Sequence, residues 1–431
     1  MKRKMLRWLL VLFLVSASNA HAVLTVKITR GADKPLPIAV VPFRSGGPLP
    51  EDMAAVVAAD LERSGRFAPM AVEDMPAQPA TLSEIGFQDW RLLGMENLVV
   101  GGVTPSVNGY DVEFTLVDVY KGQKLYAYKG STSANNLRFT AHQIADIIYE
   151  QLTGEKGAFA TRIAYITVRG SGAGRKTYTL QVADSDGYNP RTLVQSPAEI
   201  FSPSWSPDGR KIAYASLEAR TSAVYVQDIA TGQRQAVATG RGINSAPEFS
   251  PDGSKLALRR SVDGNPEIYV LHLSTGLFQR LTNDPAIDTE PTWSPDGQRI
   301  AFTSDRSGSP QIYEVSLVSP SPRRITFNQG DYNARPRYSP DGRYLAVVNG
   351  GGNGYQIGVL GLNDGSFRIV TDTYQDESPS FAPNGGMIIY STLGAGGTEL
   401  AASSVDGRVR QRIDLQGGEE VREPAWGPFR K

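Results

Sequence analysis

Cysteine is absent from all 431 residues, which excludes disulfides, thiolate metal sites and a lipid carried on an N-terminal cysteine. Histidine is scarce. His21, His142 and His272 are the only three, and no two stand at a spacing that would share a metal. Long apolar runs are missing as well: residues 8–15 form the longest, eight residues against the roughly 20 needed to cross a hydrocarbon core. No sign of charge dominates, with 44 bases and 44 acids, so nothing here attracts nucleic acid. A G-x-S-x-G elbow is also lacking, which deprives a serine hydrolase of its usual carrier. The glycines at 170, 172 and 174 join two expected strands and open no helix, so they do not form a phosphate loop.

The chain begins with Lys2, Arg3, Lys4 and Arg7, continues through the short apolar run, and passes small residues to Ala20, His21 and Ala22. That is the pattern of a secretory signal cleaved after Ala22, and the expected mature protein is exported, soluble and unanchored. Its removal takes the bases from 44 to 40 against 44 acids.

What is abundant is a repeat. Residues 203–214 read P-S-W-S-P-D-G-R-K-I-A-Y, and the phrase returns at Pro247, Pro291, Pro336 and Pro379, with a truncated sixth at Pro424, every 43 to 45 residues. A period of that length means four-stranded units arranged as propeller blades, and six starts imply six blades. In each unit an aromatic (Trp205, Phe249, Trp293, Tyr338, Phe381, Trp426) is expected to be buried on a short first strand. Pro-Asp-Gly then turns the chain: Pro fixes φ, Asp hydrogen-bonds its own backbone and Gly accepts positive φ. The second strand carries a central alanine, as at Ala213, Ala257 and Ala301, implying close approach of a neighbouring sheet. The Asp recurs in four units and becomes Asn384 in the fifth; a turn requirement explains that repetition better than a ring of metal or catalytic groups.

The ends of the array complement each other. Residues 162–165 match a second strand with no first strand before it, whereas residues 424–426 are a first strand with no second after it. The expectation is that the last strand of the chain pairs with the first strand of the array and closes the ring. Residues 160–431 are therefore assigned to an all-β six-bladed propeller and residues 23–155 to an N-terminal α/β domain. In that domain the pattern predicts a buried strand at residues 37–43, a helix over 49–64 with Met53, Val56, Val57 and Leu61 on one face, and another strand at 98–100 with Gly101 and Gly102. A hairpin about residues 121–123 and a second helix over 137–152 follow, then a linker at 153–157. Directly after the cleavage site, Val23, Leu24, Thr25, Val26, Lys27 and Ile28 alternate as a strand does. This segment reads either as an edge strand of the domain's own sheet or as a strand offered to a partner.

Blade topology locates function. The Pro-Asp-Gly turns share one face with the tight turns between third and fourth strands. The opposite face, with longer and variable loops ahead of each inner strand, forms the mouth of the channel and is suited to a polar partner or peptide.

An exported chain with an N-terminal α/β domain and a sixfold P-x-[WFY]-S-P-D-G array ending P-A-W-G-P resembles the TolB family, periplasmic components of the Tol-Pal envelope system. The phrase alone is shared with peptidase propellers; the combination, spanning the whole chain, is more specific. Asn384 and Gly427 depart from the pattern only within turns. The resemblance implies a non-enzymatic, cofactor-free adaptor, monomeric within a hetero-complex, that binds the lipoprotein Pal and communicates with TolA. It also implies roles in outer-membrane integrity and constriction at cell division, contacts with other outer-membrane proteins, and use by colicins for import, without insertion into the membrane. Mapped onto this chain, Asn244, Ala246, Thr289, Glu290 and Arg335 would face Pal, and residues 23–28 would face TolA. The rival readings are a propeller-gated peptidase or lyase and a glycan-binding propeller. The first lacks room for a hydrolase domain, and the second asks for exposed aromatics at the mouth, where Phe201 and Tyr332 are the candidates.

Overall fold

The computed structural model describes residues 26–30, 34–170, 175–219, 221–352, 354–394, 396–413, 415 and 419–430. The signal-peptide reading, Val23, Leu24, Thr25 and the centre of the 170–174 glycine run lie outside the described residues. Among those described, no helix is long and apolar enough to cross a membrane.

The N-terminal domain is built on a mixed sheet. Leu36–Val40 pairs in parallel with Phe67–Pro69 on one side and Asn97–Ser106 on the other, and Gly109–Asp118 and Gln123–Thr132 continue as an antiparallel meander. Helix α1 (Met53–Arg63) starts at Asp52, whose carboxylate accepts from Ala55 N, and stops at Gly65 with φ +66°. The expected face of Met53, Val56, Val57 and Leu61 is buried. Short helix α2 (Phe87–Leu92) sends Trp90 into the other face of the sheet, where it joins a cluster with Leu98, Val100 and Val117. Helix α3 (Leu137–Thr153) packs with α1 on the first face and ends on left-handed Gly154. Gly101 and Gly102 lie within their strand, which runs ten residues from Asn97 to Ser106. Gly101 stands where a Cβ would collide with Glu113 O, so it serves close approach within the ladder and not a turn.

Six four-stranded antiparallel sheets follow. In chain order the first strands of blades 2 to 6 are Ile200–Trp205, Asn244–Phe249, Asp288–Trp293, Tyr332–Tyr338 and Glu377–Phe381. Blade 1 is composite: Glu420–Trp426, at the end of the chain, pairs antiparallel with Arg162–Arg169, and Gly427 N donates to Arg162 O at 2.7 Å. Neighbouring blades are tied through their inner aromatics. Trp293 Nε1 donates to Glu248 O and Trp205 Nε1 to Ala425 O, both 3.0 Å, so a ring bond of the same kind crosses the closure. Trp205, Phe249, Trp293 and Phe381 are buried as expected. Tyr338 and Trp426 are only half-buried; Tyr338 donates to Glu314 at 2.6 Å and Trp426 Nε1 to Thr161 Oγ1 at 2.9 Å. The second-strand alanines are fully buried.

The Pro-Asp-Gly carboxylates are turn devices. Asp208 accepts from Ser206 Oγ at 2.6 Å and Arg210 N at 3.0 Å, and Gly209 takes φ +67°. These donors hold Asp208 below the usual carboxylate range, the serine hydroxyl foremost.

The N-terminal strand is not an edge of its own domain's sheet, as the first of the two expectations had it. Val26–Arg30 pairs antiparallel with Arg410–Ile413, adding a fifth strand to blade 6. Blade 6 offers an unpaired outer edge close to the α/β domain, whereas one edge of that domain's own sheet is already taken by Phe67–Pro69. The domain itself sits on the tight-turn face over blades 6 and 1. Gly65 lies so close to the propeller that a Cβ would fall 2.5 Å from Val409 Cγ1, and Asn384 Nδ2 donates to Lys156 O at 2.7 Å.

Deleting residues 423–431 strips the Ala425 carbonyl from Trp205, unpairs residues 162–165 and removes half-buried Trp426. The loss is expected to reach about 3 kcal/mol, the lower end for an aromatic truncation. The truncated protein should melt well below the full chain; an unchanged melting temperature contradicts closure by the C-terminal strand.

Candidate partner-binding mouth and channel

Each inner strand carries the same irregularity. The ladder skips between Phe201 and Ser204, Ser245 and Glu248, Thr289 and Thr292, Ala334 and Arg337, Glu377 and Ser380, and Arg422 and Ala425. The two residues inside each skip are one with left-handed backbone and the repeat proline. Ser202, Ala246, Glu290, Arg335, Ser378 and Glu423 have φ between +49° and +56°. The proline fits because the bulge leaves a backbone position without a ladder bond, and proline has no N–H to offer. The left-handed residue before it costs on the order of 1–3 kcal/mol and is held by the surrounding sheet. Three of the five mouth residues singled out by resemblance, Ala246, Glu290 and Arg335, belong to this ring.

The ring is asymmetric in charge. Arg335 Nε lies 2.9 Å from Glu290 Oε1, its Nη1 3.7 Å from Glu377, and Nη1 also donates to Ser378 Oγ. Burial works against the guanidinium charge, but Glu290, Glu423 and Glu377 more than offset it and raise its pKa. Glu423 accepts from Ser202 N across the closure. Three carboxylates thus share one arginine at the mouth. Thr289 is half-buried and takes a 3.3 Å bond from Arg259 Nη1.

Asn244 is fully buried: its Nδ2 donates to Ser222 O of blade 2 and its Oδ1 accepts from Arg260 Nε of its own blade, so its side chain ties the two blades together. Asp288, Asn333 and Asp376 occupy the same place and are equally buried; these residues shape the mouth without facing out of it.

Beneath the ring, Glu248 of blade 3 lies 3.7 Å from Arg337 of blade 5. Blade 4 stands between them, so the pair spans the channel as a chord. Glu248 also accepts from Thr292 Oγ1 and Trp293 N, and burial pushes its pKa up against those bonds. The sequence pattern carried no sign of this pair, whose partners come from non-adjacent repeats. Around the rim stand exposed apolar side chains: Leu217, Ile243 and Ile287 on the loops of blades 2 to 4, and Phe327, Tyr355 and Tyr374 about blade 5. Phe201 and Tyr332, the aromatics expected there, are half-buried, with Tyr332 packed edge-on to Tyr355.

The described residues include one set with metal-like proximity, Asp60, His142 and Asp186, whose ligand atoms lie within 4.8 Å of one another. Arg63 and Arg138 already sit on these carboxylates, at 2.8 Å from Asp60 and 2.5 Å from Asp186, so a cation would stand among guanidinium groups. Nor is it an Asp-His base awaiting a nucleophile. His142 is 1 % exposed, its Nε2 has no hydrogen-bond partner, and it is sealed within the domain junction.

Fold and site define a β-propeller that carries an α/β domain on its tight face and an open, irregular mouth on the other. Residues 149–430 match the family model described as the TolB beta propeller domain, and residues 24–125 that of the TolB amino-terminal domain. A curated relative from Nitrosococcus oceani, named Tol-Pal system protein TolB, is 57% identical over 97% of this chain and 96% of its own. One of the same name from Xanthomonas oryzae pv. oryzae is 54% identical over 99% of each. The crystal structure of TolB from Acinetobacter baumannii superposes with a TM-score of 0.87 at 40% identity, covering 94% of this chain and all of that one. The chain belongs to the TolB family.

If the ring residues are strained, Ala246→Gly should stabilise the protein by about 1 kcal/mol, the left-handed penalty less glycine's entropic cost. Ala246→Val should destabilise it. Denaturant midpoints check both; loss of stability in the glycine variant contradicts the strain.

Proposed function

We propose that this chain is a non-enzymatic periplasmic adaptor of the Tol-Pal system, exported by a signal cleaved after Ala22. In this reading the propeller mouth binds the lipoprotein Pal, and the N-terminal segment engages TolA. The pair of contacts supports outer-membrane integrity and constriction at division, and colicins exploit the same surfaces. The observation that carries the reading is the division of labour between faces. Repeated turns and the α/β domain take one face, whereas the free mouth combines an apolar rim with charged groups in a strained ring, as a partner-binding surface requires. Thr289, Glu290, Arg335 and the backbone at Ala246 are the proposed Pal contacts; Asn244 supports them from behind.

The fifth strand of blade 6 adds a mechanism for the second contact. A strand docked by main-chain bonds to Arg410–Ile413 must leave that edge before another protein can take it. TolA then competes with the propeller for one segment, and Pal binding favours or opposes release only to the extent that its affinity differs between the docked and free states.

A glycan-binding mouth is the second reading, favoured by the exposure of Phe327 and Tyr374 at 65% and 56%. Capture on immobilised Pal and on peptidoglycan fragments separates the two.

Thr289→Trp should weaken Pal binding at least tenfold, about 1.4 kcal/mol, with little change in melting temperature. Asp208→Ala, on the other face, should lower stability modestly and leave Pal binding intact. Equal binding losses at equal folded fraction contradict the assignment of the mouth. Deleting residues 23–28 should abolish TolA binding while Pal binding remains; undiminished TolA affinity would show that the segment serves only as a strand of blade 6.

A further inference from the structure

The α/β domain and the propeller are joined by a buried cluster of ionisable groups that partner binding at the mouth does not use. Helix α1 supplies Asp60 and Arg63, α3 supplies Arg138 and His142, and the propeller supplies Asp186 from the turn after Thr177–Asp184. Asp60, Arg63, His142 and Asp186 are each less than 9% exposed. His142 Nδ1 is 2.6 Å from Asp60 Oδ2 within its own domain, and its Nε2 points across the junction, 3.9 Å from Asp186 Oδ2. Arg63 also crosses, donating to Ser185 Oγ at 3.0 Å. Arg138 binds Asp186 and, on its other side, Glu51 at 2.7 Å.

Among the groups in direct contact the charges balance when His142 is protonated; Asp146 and Asp184, partly buried alongside, add negative charge as they ionise. Asp60, Asp186 and Glu51 carry three negative charges against the two of Arg63 and Arg138, so an imidazolium at His142 brings the cluster to neutrality. Asp60 holds the Nδ1 proton, and the proton that leaves on titration is therefore the one on Nε2. Its loss turns a lone pair toward the Asp186 carboxylate and leaves one buried charge uncompensated.

We propose that His142 is a proton-operated latch between the two domains: charged, it bridges Asp60 to Asp186 and closes the joint; neutral, it repels Asp186 and loosens it.

Burial alone would discharge the ring, but the charge and hydrogen bond of Asp60, with Asp186 behind, outweigh it and the opposing Arg63, so the pKa is raised. A second group on α3 acts with the same sign. Asp146 accepts from Phe159 N at 2.7 Å and Ala160 N at 3.1 Å, which fixes the chain entering the propeller, and burial pushes its pKa up to about 6. Asp184, on the propeller side, is raised by burial too, with His142 and Arg138 pulling it back. Groups with raised pKa values add stability that is complete below their ordinary values and is lost as pH rises through the folded ones. For Asp146 that window runs from about 4 to 6. For His142 it begins at the ordinary value of about 6.5 and extends upward. Asp186, held well below the usual range despite its burial by Arg63, His142 and Arg138, opposes them only in strong acid.

The test is an imidazole NMR titration of the mature chain, in which His142 and His272 make assignment direct, with amide exchange of residues 159–161 and 185–188 followed over the same pH range. His142 should titrate above 6.5, and intrinsic-rate-corrected protection at the junction should fall by up to about tenfold per pH unit across its transition. His142→Gln should remove that dependence. Titration at or below 6.5, or protection flat across the transition in the unsubstituted chain, overturns the latch whether or not the variant folds.

Discussion

The fold depends on one pairing: Glu420–Trp426 against Arg162–Arg169. Without it the array is an open stack with an unpaired edge at each end, and the bond from Trp205 to the preceding blade has no acceptor. The mouth depends on it as well. Glu423 sits on the closing strand, supplies one of the three carboxylates around Arg335 and binds Ser202 N of the neighbouring blade. The charged ring at the mouth is therefore complete only when the two ends of the array have met.

The α/β domain brackets that seam. Asp186 belongs to blade 1, the docked strand Val26–Arg30 to blade 6, and Trp426 of the closing strand reaches Thr161 in the connection between the domains. Past the closure, Phe429 lies 5.9 Å from the ammonium of Lys156, and Arg430 stacks 3.9 Å from Phe139 of α3. The closing strand therefore carries contacts to the α/β domain at Trp426 and to the mouth at Glu423, three residues apart. The corresponding turn of blade 6 touches the same connection, Asn384 Nδ2 donating to Lys156 O.

Much of this was legible in the sequence, for identifiable reasons. The repeat declared itself because four copies of one turn need Pro, Asp and Gly at fixed offsets, with a fifth that has Asn384 and a truncated sixth, and the mismatch of its ends revealed the closure. The faces of α1 and α3 followed from helical periodicity. Contacts between distant segments left no local trace. The alternation after Ala22 marks a strand but cannot name its neighbour, which lies near the other end of the chain on blade 6. Asn244 looked like a mouth residue because polar groups precede each inner strand; its burial comes from bonds to Ser222 and Arg260. His142 read as one histidine on a helix, since Asp60 is 82 residues upstream and Asp186 is on the propeller. The ring at Ala246 was hinted at by a proline at the same place in every repeat, but only the ladder shows that a bulge and positive φ accompany it.

Native-state hydrogen exchange tests the central claim most directly. If the C-terminal strand closes the ring, amides of Glu420–Trp426 and Arg162–Arg169 should open only with the whole propeller, at the same free energy as an internal strand such as Lys211–Ser216. Exchange of Glu420–Trp426 by local fraying, while Lys211–Ser216 remains protected, would contradict it.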